Sequence, residues 1–320
     1  MTSLRRFVSE HRGLVVLAQL VVFAVFIGSV AWALRGAFHD AGGDLRNADP
    51  FYFTLACVAL AAYYLVFCLG WMRILAEWGI GMSYPAALRA EMVSMLAKYI
   101  PGGVWTPAAR VVAARRAGVT DGALVAASML LEAGLSAVSG VLVFVVSLAW
   151  ISGVDAPIAP IVAFGVVVAV LVHPRIFRSI AARALRRFGH GEPPPVRART
   201  IVELLVFYSG TWVVGGFALW LLLRSVGAHP EVQSVVFLGG VAAVGAIVAV
   251  LAVFAPSGLG VREASMYGLI LAIVPQGAAL STTVLNRVAI TLVEILLAVV
   301  GGLVLRSAEP VTTTLRDAEA

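Results

Sequence analysis

Six apolar runs divide this chain, at 14–34, 51–70, 123–149, 158–172, 200–223 and 281–305. A helix needs roughly 20 apolar residues to cross the hydrocarbon core. Within that core the backbone must satisfy its own polar groups, which leaves helices and closed barrels. The runs predict an all-α polytopic membrane protein with about six full transmembrane helices. Composition agrees: 61% of residues are hydrophobic and 12% charged, against about 45–50% and 25% in soluble domains. A soluble domain, a disordered chain, a coiled coil and a secreted disulfide scaffold are all excluded. The first run is longer than a signal-peptide core and has no clear cleavage site, so it reads as a retained helix.

The net charge is +6. All the basic residues except Lys98 are arginines, and they flank apolar runs. That is the pattern of the positive-inside rule rather than of a nucleic-acid surface; no nucleic-acid partner is expected. Residues 173–199 carry Arg175, Arg178, Arg183, Arg186, Arg187, Arg197 and Arg199 beside three consecutive prolines, Pro193 to Pro195. This segment reads as a cytoplasmic loop, of which 175–188 forms a basic helix on anionic headgroups. The loop with Asp40, Asp44 and Asp49 reads as outside. These signals place a multi-pass protein in the cell membrane with both termini cytoplasmic. Residues 1–306 form a single membrane domain, and 307–320 a disordered cytoplasmic tail. Cys57 and Cys68 are eleven residues apart in one run, or about 16 Å along a helix, too far for a disulfide.

Two apolar stretches are interrupted. Residues 84–116 break at Pro101, Gly102 and Gly103, and residues 235–274 break at Pro256, Ser257, Gly258, Leu259 and Gly260. Proline removes a helix donor and glycine permits reversal. Such breaks persist at membrane depth only where protein or a water-filled cavity satisfies the freed groups. Both read as broken, re-entrant helical hairpins. For the second, a full helix followed by a short one is the alternative.

The segment 131–140 aligns without gaps on 293–302, with Glu132 matching Glu294, and each glutamate helix follows a break. With the N-terminus inside, 1–150 and 151–306 each read as span, span, hairpin, span. Three crossings per half make the second an inverted repeat of the first, as in many secondary transporters. A bundle with two kinks is the competing reading.

Ionisable groups within the bilayer are functional candidates. Lys98, Arg110, Glu132, Arg262, Glu263, Arg287 and Glu294 lie at the breaks or on the helices that follow. Tyr99 and Trp105 flank the first reversal, either in the site or as interfacial anchors. A helix starting after each break would offer free N–H groups and a positive dipole end to a phosphate. Structural pairing, Glu132 with Arg262 and Glu294 with Arg110, is the competing role for the charges. No HExxH, CxxC or Walker loop is present, and the five histidines fall in loops or at helix ends. Neither an enzyme site nor a cofactor or metal is expected.

The run from Lys98 to Trp105, with Arg110 and Gly118, resembles the first signature of the lysylphosphatidylglycerol synthase transmembrane-region family, and Pro256 to Glu263 resembles its second. The chain carries Gly103 and Ala133 where members commonly carry Lys and Arg. The resemblance implies a flippase-like membrane domain that moves an amphipathic lipid, in its stand-alone form, without the soluble aminoacyl-transfer domain of the fused members. The expected substrate is an anionic phospholipid or a lipid-linked glycan. The expected substrate-binding residues are Lys98, Tyr99, Pro101, Gly102, Trp105, Arg110, Glu132, Pro256, Gly258, Gly260, Arg262, Glu263, Arg287 and Glu294. The alternative is a non-transporting membrane partner of a lipid-modifying enzyme or glycosyltransferase, docking through the Arg-rich loop.

Overall fold

The computed structural model describes residues 44–99, 105–151, 154, 158–187, 192–252 and 255–303. The first apolar run, Pro101 and Gly102 of the first break, and the tail 307–320 lie outside the described residues.

The described residues form ten α-helices and two 3-10 turns. The helices are α1 (Pro50–Glu77), α2 (Tyr84–Met95), α3 (Trp105–Arg116), α4 (Gly122–Ser147), α5 (Ile158–Val172), α6 (Pro174–Arg186), α7 (Ala198–Ser225), α8 (Ser234–Leu251), α9 (Val261–Ile270) and α10 (Gln276–Leu303). The turns are Leu96–Tyr99, which ends the descent of α2, and Pro256–Gly258, between α8 and α9. The starts follow helix-capping chemistry. Asp49 accepts from the Phe51 N–H at 2.8 Å, with Pro50 at the first helical position. Asp121 accepts from the N–H groups of Ala123 and Leu124 at 2.9 and 3.0 Å.

Five helices, α1, α4, α7, α8 and α10, are long and apolar enough to cross a membrane. Two expectations change here. The run at 158–172 forms a helix of only 15 residues, which bends by 70° into α6. Pro174 sits at the first position of α6, and it forces the residue before it out of the helical region. The two count as a sixth span only if taken together. Conversely, the first limb of the second broken stretch is an 18-residue helix, long enough to span by itself, followed by the 10-residue α9. These lengths fit the alternative of a full helix followed by a short one, although α9 folds back on α8 as the second limb of a hairpin would. The first stretch is a pair of 12-residue helices, α2 and α3, packed on each other.

The helices α1, α4, α7 and α8 form the centre, and α10 and α2 close one side. At the α7–α8 crossing the backbones nearly touch: a Cβ on Gly216 would collide with the Val235 carbonyl and the Gly239 backbone. Small residues allow this approach, and in lipid close packing replaces the hydrophobic effect as the force between helices. The outward faces are apolar, with Val166, Val170, Val202, Val206, Leu292 and Leu296 exposed. At the end where α1 meets α7, Glu77 is held by Arg73 and Arg197 at 2.9 and 2.7 Å, while Arg199 pairs with Glu203 at 2.8 Å.

Candidate functional site

The two breaks meet. The turn Leu96–Tyr99 packs against the turn Pro256–Gly258, and α10 packs against the first of them. Two clusters of ionisable side chains are built around this junction.

The second break explains its own shape. Ser257, Gly258 and Gly260 all have positive φ, at 53°, 65° and 81°. Gly258 must be glycine for a second reason, because a Cβ there would run into Ala249 of α8. The reversal brings α9 back against α8. Glu263 then caps α9, its Oε2 accepting from the Gly260 N–H at 2.6 Å. That carboxylate occupies part of the helix start that the sequence suggested for a phosphate. Arg287 on α10 ties the break down, donating to the Ser257 carbonyl at 3.3 Å and to Glu263 Oε1 at 3.4 Å.

The first cluster lies at the junction. Lys98, in the first turn, donates to Oε1 of Glu294 on α10, and the Tyr64 hydroxyl of α1 donates to the same oxygen at 2.5 Å. The Glu294 side chain is fully buried. Arg262 and Arg287 stand close enough to act electrostatically on Lys98. The Nε of Arg262 is buried without a hydrogen-bond partner. Counting Lys98, Arg262 and Arg287 against Glu263 and Glu294, cations exceed carboxylates. A buried guanidinium N–H facing no acceptor is costly, and it suits a site that takes up an anion.

The second cluster lies deeper in the first hairpin. Arg110 of α3 donates to Oε2 of Glu132 on α4 at 2.7 Å and lies 3.5 Å from Oε1 of Glu91 on α2. Its Nε donates to the Ser94 hydroxyl at 3.3 Å, and its guanidinium carbon sits 5.0 Å from the centre of the Trp71 ring. The Trp71 indole in turn donates to Ser128 at 2.9 Å. Stacking on an aromatic face and reaching two carboxylates are tasks for a planar, weakly hydrated cation.

The expected pairings are therefore both corrected. Glu132 pairs with Arg110 rather than Arg262, and Glu294 with Lys98 rather than Arg110. Each glutamate takes the cation of the first hairpin, because that hairpin wedges between α4 and α10. Of the remaining candidates, Gly258 and Gly260 shape the break, and Pro256 opens its 3-10 turn. Trp105 starts α3 and is 46% exposed. It lines, with Arg89, Arg116 and several alanines, a cavity of about 500 Å³ between α2 and α3. Tyr99 ends the first turn, but the placement of its side chain lies outside the description, as do Pro101 and Gly102. Sequence reasoning missed Tyr64, whose position in an apolar run carried no signal. It also left out Glu91, whose signal was present as one more carboxylate in an apolar stretch.

Among the described residues no group of three His, Cys, Asp or Glu side chains could hold a metal ion. The family model described as lysylphosphatidylglycerol synthase TM region matches residues 16–298, a range that contains both breaks and both clusters. No curated protein gives a significant match to the chain.

Proposed function

We propose that this chain, which belongs to the lysylphosphatidylglycerol synthase TM region family, moves an amphipathic lipid with an anionic headgroup across the bilayer. The family match and the long apolar helices establish a polytopic membrane protein. The observation that carries the transport reading is the meeting of two broken helices at a cluster that, among the described residues, holds more cations than carboxylates, one of them the half-buried Arg262 with a buried, unpartnered Nε. An anionic phosphate at this junction would be drawn by Lys98, Arg262 and Arg287 while its acyl chains stay in lipid. Glu294 holds Lys98 and Glu263 holds Arg287 in place when no headgroup is bound. An anionic phospholipid and a phosphate-linked glycolipid share this chemistry.

The packing supports an inverted repeat. If α1, α2, α3 and α4 correspond to α7, α8, α9 and α10, the contacts of one set recur in the other. α4 packs on α8 as α10 packs on α2; α7 packs on α4 as α1 packs on α10. α3 packs on α4 as α9 packs on α10, and α1 packs on α7, its own counterpart. Such a relation suits alternating access, in which one half rocks against the other. On this reading the N- and C-termini are cytoplasmic and the hairpins open to opposite faces.

The alternative, docking of a lipid-modifying enzyme or glycosyltransferase on the Arg-rich segment, has less support. Arg178 and Arg186 pair with Glu192, while Arg197 and Arg199 pair with Glu77 and Glu203, all within the chain. The deciding experiment follows a fluorescent phosphatidylglycerol in liposomes that hold the purified protein. Movement between leaflets that Arg262→Ala abolishes supports transport; liposomes with and without protein behaving alike would refute it.

A further inference from the structure

The second cluster contains more carboxylate than its cation can satisfy. Glu91 is completely buried, and neither of its oxygens has a hydrogen-bond partner. Arg110 stands 3.5 Å away, but its short hydrogen bond goes to Glu132. One oxygen of Glu132 is also buried, with the buried Tyr208 hydroxyl beside it as a neutral donor. The groups that face Glu91 come from every element around it. They are Tyr63 and the Cys68 thiol from α1, Tyr84 from α2 itself, Arg110 from α3, Glu132 from α4 and Tyr208 from α7. The remaining neighbour, α10, directs Glu294 to Lys98 and Tyr64 instead. Two carboxylates therefore share one guanidinium in a region that excludes water. Burying an ionised carboxylate without donors costs far more than burying the neutral acid.

We propose that Glu91 carries a proton and that the Glu91–Arg110–Glu132 cluster is the proton-binding site that couples lipid movement to a proton gradient. The geometry supplies the coupling. Arg110 on α3 reaches Glu132 on α4 and Glu91 on α2 from one position. When Glu91 is neutral, the guanidinium bonds Glu132 and pins the hairpin to α4. When Glu91 gives up its proton, the new negative charge draws the guanidinium toward α2. The ion pair then lies within the hairpin, and its grip on α4 is lost. A proton thereby biases the position of the hairpin whose tip meets the second break. Where the proton sits does not depend on the transport reading; only its use in coupling does.

Infrared spectra of the purified protein in liposomes of phosphatidylglycerol and phosphatidylethanolamine read the proton directly. At neutral pH the wild type shows the carbonyl stretch of a protonated carboxyl, moving to lower frequency in D2O and lost in Glu91→Gln. In Glu132→Gln, where Arg110 has only Glu91 to bond, the band titrates away at lower pH than in the wild type. Absence of the band from the wild type, or its survival in Glu91→Gln, overturns the site. In the same liposomes an imposed pH gradient accelerates the movement of fluorescent phosphatidylglycerol in the wild type and not in Glu91→Gln. Lipid movement that ignores the gradient in the wild type overturns the coupling. A protonated Glu91 in a protein that moves no lipid refutes transport alone and leaves the proton site standing.

Discussion

Lys98 and Glu294, 196 positions apart in the chain, meet in a partly buried ion pair that joins the tip of the first hairpin to the last helix. Tyr64 donates to the same carboxylate from α1. Three elements are thus fixed at one oxygen, beside the turn of the second break.

Removing Lys98 leaves the fully buried Glu294 carboxylate without its cation, which costs about 3–5 kcal/mol, whereas removing Glu294 leaves a partly exposed ammonium and costs less. Glu294→Gln and Lys98→Met singly should each lower the unfolding midpoint in detergent. The double variant should recover a large part of the loss, because both charges are gone. A double variant that loses the sum of the two singles would show that the residues act independently.

Arg110→Ala exposes Glu91 and Glu132 to each other with no cation between them, at a similar cost of about 3–5 kcal/mol. Arg110→Lys should recover less than half of it. An ammonium cannot bridge two carboxylates while stacked on Trp71 at 5.0 Å. Thermal unfolding of the three proteins, with lipid movement measured alongside, checks this.

Arg262→Ala should behave differently. Its Nε makes no hydrogen bond, so folding should change little while lipid movement falls at least tenfold. Mass spectrometry of copurified lipid should show less anionic phospholipid per protein than in the wild type. A variant that unfolds as Arg110→Ala does, with its lipid complement unchanged, would assign Arg262 a structural role.

Gly258→Ala tests the break. A side chain at φ 65° costs about 1–2 kcal/mol, and here it also meets Ala249. The variant should lose more stability than Gly210→Ala, on an exposed face of α7 where an added Cβ meets nothing, and should lose lipid movement with it. Equal midpoints for the two variants would show that the turn tolerates a side chain.

The inverted arrangement is checked by cysteine labelling in a protein whose Cys57 and Cys68 are replaced by alanine. Thr120→Cys, beyond the first hairpin, should react with a membrane-impermeant maleimide only from the cytoplasmic side. Gln276→Cys, beyond the second, should react only from the opposite side. Labelling of both from one face would exclude the inverted repeat.

Much of the fold was legible in the sequence. The runs at 51–70, 123–149, 200–223 and 281–305 became α1, α4, α7 and α10 because a bilayer selects for continuous apolar helices and little else. The breaks were legible because proline and glycine act locally: the positive φ values at Gly258 and Gly260 are a property of those residues. The basic segment at 175–188 became α6 through its own periodic pattern. The run at 158–172 became the 15-residue α5 over those same bounds, and it counts as a sixth span only together with α6, to which Pro174 bends it.

Charge partnership is where local pattern stopped. Sequence placed Lys98, Arg110, Arg262, Arg287, Glu132 and Glu294 inside the membrane domain, since an ionisable group in an apolar run is visible without any partner. It could not say which cation faces which carboxylate, because that depends on the hairpin α2–α3 wedging between α4 and α10. The sequence alone determined a polytopic helical chain with two reversals and a small set of buried charges. Only the tertiary structure decided that Lys98 goes to Glu294, that Arg110 goes to Glu132, and that Glu91 is left over. Hydropathy is a property of each residue in turn, whereas an ion pair is a property of two helices brought to the same place.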